Sequence, residues 1–125
     1  MGEEEEGRST QDDGVFRATL VTRGRRTGRS HAVRLRAVSH AGKIYLSRRR
    51  PDGDWYLNAA ANPDVRVMYE GAGVGEGVES IAGTARVVTD EGRLRLISRL
   101  KYPGQKKADE RRVAIEVSPG RDGRT

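Results

Sequence analysis

Six short segments of alternating apolar and polar residues, joined mostly by short connections, are the strongest constraint on the fold of this 125-residue chain. Apolar side chains recur in them at every second position, which is the period of a half-buried β-strand. A parallel sheet needs crossovers of a dozen or more residues, and three of the five connections here are shorter than that. The spacing therefore predicts an antiparallel sheet with strands at residues 15–22, 31–38, 43–47, 65–69, 81–88 and 112–117.

Two further segments have the signals of helices. The first covers residues 54–61, with Asp52 or Asp54 available as a cap, and it ends before Pro63 because a residue that precedes proline is pushed out of helical geometry. The second follows Thr89 and has apolar residues at helical spacing. The order β-β-β-α-β-β-α-β predicts a mainly β fold with two helices, a small antiparallel closed or split β-barrel.

The charge divides the chain into a domain and two tails. Residues 1–13 carry six acidic side chains against Arg8, lack large apolar residues, and are predicted to be a disordered acidic tail. Residues 14–118 form the predicted barrel domain, and residues 119–125 a second disordered tail. Because the whole chain is +6, residues 14–125 carry +11, and a domain this basic is expected to bind anions.

Composition excludes several kinds of chemistry. The chain has no cysteine, so thiol catalysis, disulfides and cysteine-bound metal are excluded. His31 and His40 make no ligand pattern with nearby carboxylates, so no metal site is predicted. No apolar run is long enough to span a membrane, and the acidic N-terminus lacks a signal region, so a cytoplasmic protein is expected. The low aromatic content of 5% indicates either a core built from Val, Leu, Ile and Ala alone or one that a ligand or a homodimer interface completes, and the second is favoured.

The loop RGRRTGRS between the first two strands is the best candidate for a binding site. Arg25, Arg26 and Arg29 surround Thr27 and Gly28 in it, so cations, a hydroxyl and a glycine N–H lie close together. Such a loop is able to hold phosphate through guanidinium groups and backbone donors. A solvated basic hairpin loop is the alternative interpretation of the same residues.

Three blocks of sequence resemble the deazaflavin (F420)-dependent nitroreductase family, within the wider class of FMN-binding, pyridoxamine phosphate oxidase-like split β-barrels. The blocks are LVTRGRRTGR, WYLNAAANPDVRV and GTARVVTDEGRLRLISRLKYPG, in the family's order. The second is similar to the family's Trp-Tyr-x-Asn-x-x-Ala-Asn-Pro pattern and is the most specific. The resemblance as a whole spans about residues 15–117.

The resemblance implies an oxidoreductase that transfers a hydride from reduced coenzyme F420 to an electron-poor acceptor such as a quinone, enone or nitroaromatic. It implies two catalytic candidates, Tyr102 and Ser47. It also implies a set of cofactor-binding residues: Arg25, Arg26, Thr27, Gly28, Arg29, Ser47, Arg48, Arg49, Trp55, Tyr56 and Asn58. The chain departs from the family pattern in the short RRRPDGD loop and at Gln105, where some members have a tyrosine that serves the acceptor.

Other functions stay open on the sequence alone. An FMN-binding split barrel would use the same basic loop for the FMN phosphate. A nucleic-acid-binding barrel would use RGRRTGR and RRR on phosphates, with Trp55, Tyr56 or Tyr45 stacking on bases. Nucleic acid is the less favoured partner, because the aromatic residues are few and do not alternate with the basic ones. A barrel that binds a ligand without catalysis is the remaining alternative.

Overall fold

The computed structural model describes residues 14–70 and 78–120, in which six antiparallel strands close a barrel in the order β1-β2-β3-β6-β5-β4. The strands are β1 (Gly14–Arg23), β2 (Ser30–His40), β3 (Lys43–Arg48), β4 (Asp64–Glu70), β5 (Val78–Val87) and β6 (Val113–Pro119). Helix α1 (Asp54–Ala61) joins β3 to β4, and α2 (Glu91–Lys101) with a 3₁₀ helix (Lys106–Asp109) joins β5 to β6. The predicted mainly β barrel with two helices is confirmed.

The ends of the chain fall mostly outside this description. The predicted acidic tail, the glycine-rich residues 71–77 and residues 121–125 lie outside the described residues. Pro119 and Gly120, which the sequence placed in the second tail, belong to the barrel instead. Pro119 pairs with Gly83 of β5, and the N–H of Gly120 donates to the carbonyl of Ala82 at 2.9 Å.

The barrel is least closed along one edge of β2. This strand pairs with β1 over its whole length, from Ser30 opposite Arg23 to Ser39 opposite Gly14. It pairs with β3 only at Val38, Ser39 and His40. The first half of β2 therefore has a β-partner on one side only among the described strands, and the barrel is open beside the β1–β2 loop.

Two apolar clusters hold the fold together. The larger one fills the barrel, where Leu20, Leu46 and Val67 have no exposed surface, and α1 adds Trp55 and Tyr56 to it. The smaller one lies outside the barrel, where Ile97 of α2 packs on Val38 and Tyr45. This explains why Val38 is buried although its position in β2 alternates with the inward-facing Ala37.

The two helices begin differently from each other. The carboxylate of Asp90 caps α2 by accepting a hydrogen bond from the N–H of Arg93 at 2.7 Å. The prediction that Asp52 or Asp54 caps α1 is wrong, because Gly53 occupies that position and no side chain caps the helix. Both carboxylates contact arginines instead: Asp52 lies 3.7 Å from Arg48, and Asp54 lies 3.5 Å from Arg25.

Candidate cofactor-binding site

A cleft of about 550 Å³ opens where the β1–β2 loop meets α1. Its volume is typical of a site for a small molecule or cofactor, roughly 300–1,000 Å³. The lining residues come from the end of β1, the basic loop, the start of β2 and one face of α1. They are Thr22, Gly24, Arg25, Arg26, Thr27, Arg29, His31, Ala32, Val33, Asp54, Trp55 and Asn58.

The basic loop is closed by its own backbone. The N–H of Gly24 donates to the carbonyl of Arg29 at 2.8 Å, and the N–H of Gly28 donates to the carbonyl of Gly24 at 2.9 Å. Gly28 has φ of +77°, a conformation that favours glycine. The expectation that the Gly28 N–H is available for phosphate is wrong, because the loop itself uses that donor.

Asn58 fastens the loop to α1. Its side-chain oxygen accepts hydrogen bonds from the backbone N–H of Arg25 at 3.2 Å and from the Arg25 guanidinium at 2.7 Å. Its amide group donates to the hydroxyl of Thr22 at 3.5 Å. Because Asn58 is only 4% exposed, these bonds fix the position of the loop from inside the protein.

The charges in the cleft are not equivalent. Arg25 lies 3.5 Å from the carboxylate of Asp54 as well as bonding Asn58, so part of its charge is already compensated. Arg26 and Arg29 are exposed and have no carboxylate partner among the described residues. These two guanidinium groups, with the hydroxyl of Thr27, are the ones available to an anion entering the cleft.

The aromatic residues of α1 are mainly core residues. Trp55 and Tyr56 are each 9% exposed, and their rings meet edge to face with centroids 6.2 Å apart. Trp55 also forms part of the cleft wall, whereas Tyr56 is not among the lining residues. Since Tyr45 is 1% exposed, all three aromatic residues that the nucleic-acid alternative would use for stacking are buried.

Six of the predicted site residues do not line the cleft: Gly28, Ser47, Arg48, Arg49, Tyr56 and Tyr102. Arg48 contacts Asp52, and Arg49 lies 3.2 Å from the carboxylate of Glu110. Both catalytic candidates, Ser47 and Tyr102, adjoin the last residue of α2, Lys101. The two catalytic candidates therefore lie beside Lys101, in a second cluster on the barrel.

The second cluster surrounds the ring of Tyr102 with positive charge. The charged groups lie 4.7 to 5.6 Å from the ring centroid and belong to Arg36, Lys101, Lys107 and Arg112. We call these five residues the Tyr102 cluster. This cluster was not predictable from local sequence patterns, because Arg36 is 66 positions from Tyr102 along the chain and only the barrel brings them together.

Lys101 is the buried member of the Tyr102 cluster. It is 7% exposed, and its Nζ donates to the hydroxyl and the carbonyl of Ser47, both at 3.3 Å. Burial, together with the positive charges of Arg112, Arg36 and Lys107, lowers the pKa of Lys101 to about 8. The protein thus holds a lysine that releases its proton far more readily than a solvated one.

Within the described residues, no group of three or more histidine and carboxylate side chains is arranged to hold a metal ion. In the same part of the chain no helix is long and apolar enough to cross a membrane.

Comparisons with known proteins agree with this architecture. A model of the family described as F420H(2)-dependent quinone reductase matches residues 2–118. A comparison with curated proteins gives no match. Among solved structures, an F420-H2 dependent reductase is 27% identical with a TM-score of 0.58, over 81% of this chain and 92% of that one.

Two more solved structures are similar. One is described as a domain-swapped dimer; it is 25% identical with a TM-score of 0.58, over 91% of this chain and 94% of the other. A FAD-binding protein from Mesorhizobium loti is 18% identical with a TM-score of 0.64, over 97% and 90% of the two chains, which is a likeness of fold.

The architecture therefore defines a small split β-barrel protein with a cationic cleft. Because the family model spans nearly the whole chain, the chain belongs to the F420H(2)-dependent quinone reductase family. The resemblance found in the three sequence blocks is confirmed.

Proposed function

We propose that the protein is an oxidoreductase that uses reduced coenzyme F420 to reduce an electron-poor organic acceptor of the quinone, enone or nitroaromatic type. Its membership of the F420H(2)-dependent quinone reductase family is the observation that carries this proposal. The bound deazaflavin supplies the hydride, and the protein supplies binding and orientation.

The residues of the cleft suit an anionic, partly aromatic cofactor. Arg26, Arg29 and the Thr27 hydroxyl present donors for a phosphate group at the mouth of the cleft. Trp55 offers an apolar wall. Arg25 acts differently, because its bonds to Asn58 and Asp54 hold the loop in place. A loop held in this way does not have to be ordered when the cofactor binds.

Tyr102 and Ser47 remain our proposed catalytic residues. The Tyr102 ring is half-buried among cations, and the Ser47 hydroxyl already accepts a hydrogen bond from Lys101. A charged Lys101 would stabilise negative charge that develops on a reduced acceptor, and its lowered pKa allows it to release a proton near neutral pH. This lysine compensates for Gln105, which stands where some family members have a tyrosine.

We also propose that the protein is a homodimer in the cytoplasm. The similar structure described as a domain-swapped dimer supports the first part. The low aromatic content supports it too, because subunit contact would complete a thin core.

Arg26→Ala tests the cofactor assignment. Arg26 lines the cleft and has no fold-stabilising partner among the described residues, so the substitution is expected to weaken F420 binding about tenfold or more while the unfolding midpoint stays unchanged. The matched control is Arg17→Ala, which removes an exposed arginine of β1 outside the cleft. Equal F420 affinity of the Arg26 variant and the control, measured by fluorescence titration, would contradict the assignment.

A further inference from the structure

The positive charge of the Tyr102 cluster exceeds the negative charge of the described residues in contact with it. Four cations lie within 5.6 Å of the centre of a single ring. Among the described residues, the carboxylate in contact with them is that of Glu110, which lies 3.3 Å from Arg112 and is shared with Arg49 at 3.2 Å. The face of a tyrosine ring attracts cations but does not neutralise them.

Two of these cations are buried, which makes the excess charge costly. Lys101 is 7% and Arg112 is 8% exposed. The Arg112 guanidinium donates to Glu110 and to the carbonyl of Lys107, yet its Nε has no hydrogen-bond partner among the described residues. Buried guanidinium groups normally have their donors satisfied, so this one marks a place where an acceptor is missing.

The Tyr102 cluster is open on one side and lies further along β2 from the cleft. Arg36 and Lys107 are exposed, and the Tyr102 ring is half-buried, so a small molecule can reach them. Ala32 of the cleft wall and Arg36 lie on the same, outer side of β2, four positions or about 13 Å apart, whereas His31 and Val33 line the cleft from the other side of the strand.

We propose that the Tyr102 cluster is a second anion subsite and that it binds a carboxylate group of the acceptor. This inference rests on the proposed function. The exposed Arg36 and Lys107 attract the acidic molecule, and the buried Lys101 and Arg112 fix its carboxylate at one place beside the Tyr102 ring. Fixed, buried donors suit a compact group that is held in one position. A flexible acidic tail of the cofactor would not require donors fixed in this way.

The protonation of Lys101 gives a direct readout of binding. Arg36 of β2, Lys107 of the 3₁₀ helix and Arg112 face Lys101 with positive charge, and Tyr102 and Ser47 are its other neighbours. A bound carboxylate would offset these charges, so the pKa of Lys101 should rise when an acidic acceptor binds.

The experiment compares 4-nitrobenzoate with its methyl ester, which has the same ring and no charge. With the full chain labelled with ¹³C-lysine, NMR titration of Lys101 is expected to give a higher pKa in 4-nitrobenzoate than in the ester or in sodium chloride of equal ionic strength. The doubly substituted Arg36→Ala, Lys107→Ala protein should lose this difference. The Arg99→Ala control, an exposed arginine of α2 outside the cluster, should keep it. If 4-nitrobenzoate does not raise the pKa of Lys101, the proposed anion subsite is refuted.

Steady-state kinetics identify which ligand binds at the subsite. With reduced F420, the double variant should lose about tenfold in kcat/KM for 4-nitrobenzoate, equivalent to about 1.4 kcal/mol, and change little for the ester. If the double variant instead weakens binding of F420 that carries its acidic tail and treats both acceptors alike, the assignment to the acceptor is overturned. Absence of turnover with both nitrobenzoates, with a quinone and with an enone, despite a Lys101 shift, would refute the proposed oxidoreductase and not the anion site.

Discussion

Replacing Lys101 by methionine should stabilise the protein at neutral pH. Lys101 is the buried end of α2, and burial is the main cause of its lowered pKa, ahead of the charges of Arg112, Arg36 and Lys107. Methionine fits a helix and has a similar length, so the substitution removes the charge and leaves little empty space.

The size of the effect follows from the pKa. A fall from 10.5 to about 8 corresponds to about 3 kcal/mol of unfavourable free energy when Lys101 is charged in the folded state. The two hydrogen bonds to Ser47 would be lost, at about 1 kcal/mol each. The net gain expected at pH 7 is therefore about 1 kcal/mol.

The pH dependence is the sharper part of this prediction. Below about pH 8 both the folded and the unfolded chain hold the Lys101 proton, so the folded state bears the full cost. Between about pH 8 and 10.5 the unfolded chain binds more protons than the folded one, and the stability of the wild type rises with pH. The difference in unfolding free energy that favours Lys101→Met over wild type should therefore shrink as the pH rises and then reverse sign. It should change by about 2 kcal/mol between pH 7 and pH 10.

Urea unfolding at pH 7, 8, 9 and 10 measures this difference. Comparison between variant and wild type removes the contributions of other titrating groups that the two proteins share. Lys106→Met is the matched control, because Lys106 is an exposed lysine of the 3₁₀ helix and should show no such trend. A difference between Lys101→Met and wild type that stays constant across this pH range would refute the reasoning.

Two further substitutions test the architecture. Asn58→Ala should cost about 2 kcal/mol in urea unfolding and weaken F420 binding, because it releases Arg25 and leaves buried groups unpaired; an unchanged affinity would show that the loop does not need this anchor. Gly83→Ala should cost about 2 kcal/mol, because its Cβ would lie 2.6 Å from Val117 and 2.8 Å from the carbonyl of Ser118; a melting temperature equal to that of wild type would contradict the close packing of β5 on β6.

The barrel was predictable because alternation and connection length are local properties. Phe16, Ala18 and Leu20 share the inward face of β1 as their spacing indicates. Val38 does not follow this alternation of buried and exposed residues, since its burial depends on α2, a segment far away in the sequence. The cap of α1 was mispredicted because Asp52 and Asp54 bind nearby arginines instead.

The site was predictable only where its residues are neighbours in sequence or follow the family pattern. Arg26 and Thr27 fall in one loop, and the family pattern linked that loop to Trp55 and Asn58. Lys101 lies four positions after Ile97 on the packed face of α2, but the sequence alone does not show that the barrel covers this end of the helix. The Tyr102 cluster therefore needed the three-dimensional structure.

Competition binding tests the central claim most directly. The purified full chain is titrated with coenzyme F420, FMN and a short single-stranded RNA at matched moderate salt. We expect selective, tight binding of F420 that depends on Arg26. Preference for FMN would leave the fold assignment unchanged and make FMN the cofactor instead of F420. Binding to RNA alone, with steep salt dependence, would contradict the assignment of the cleft to a cofactor.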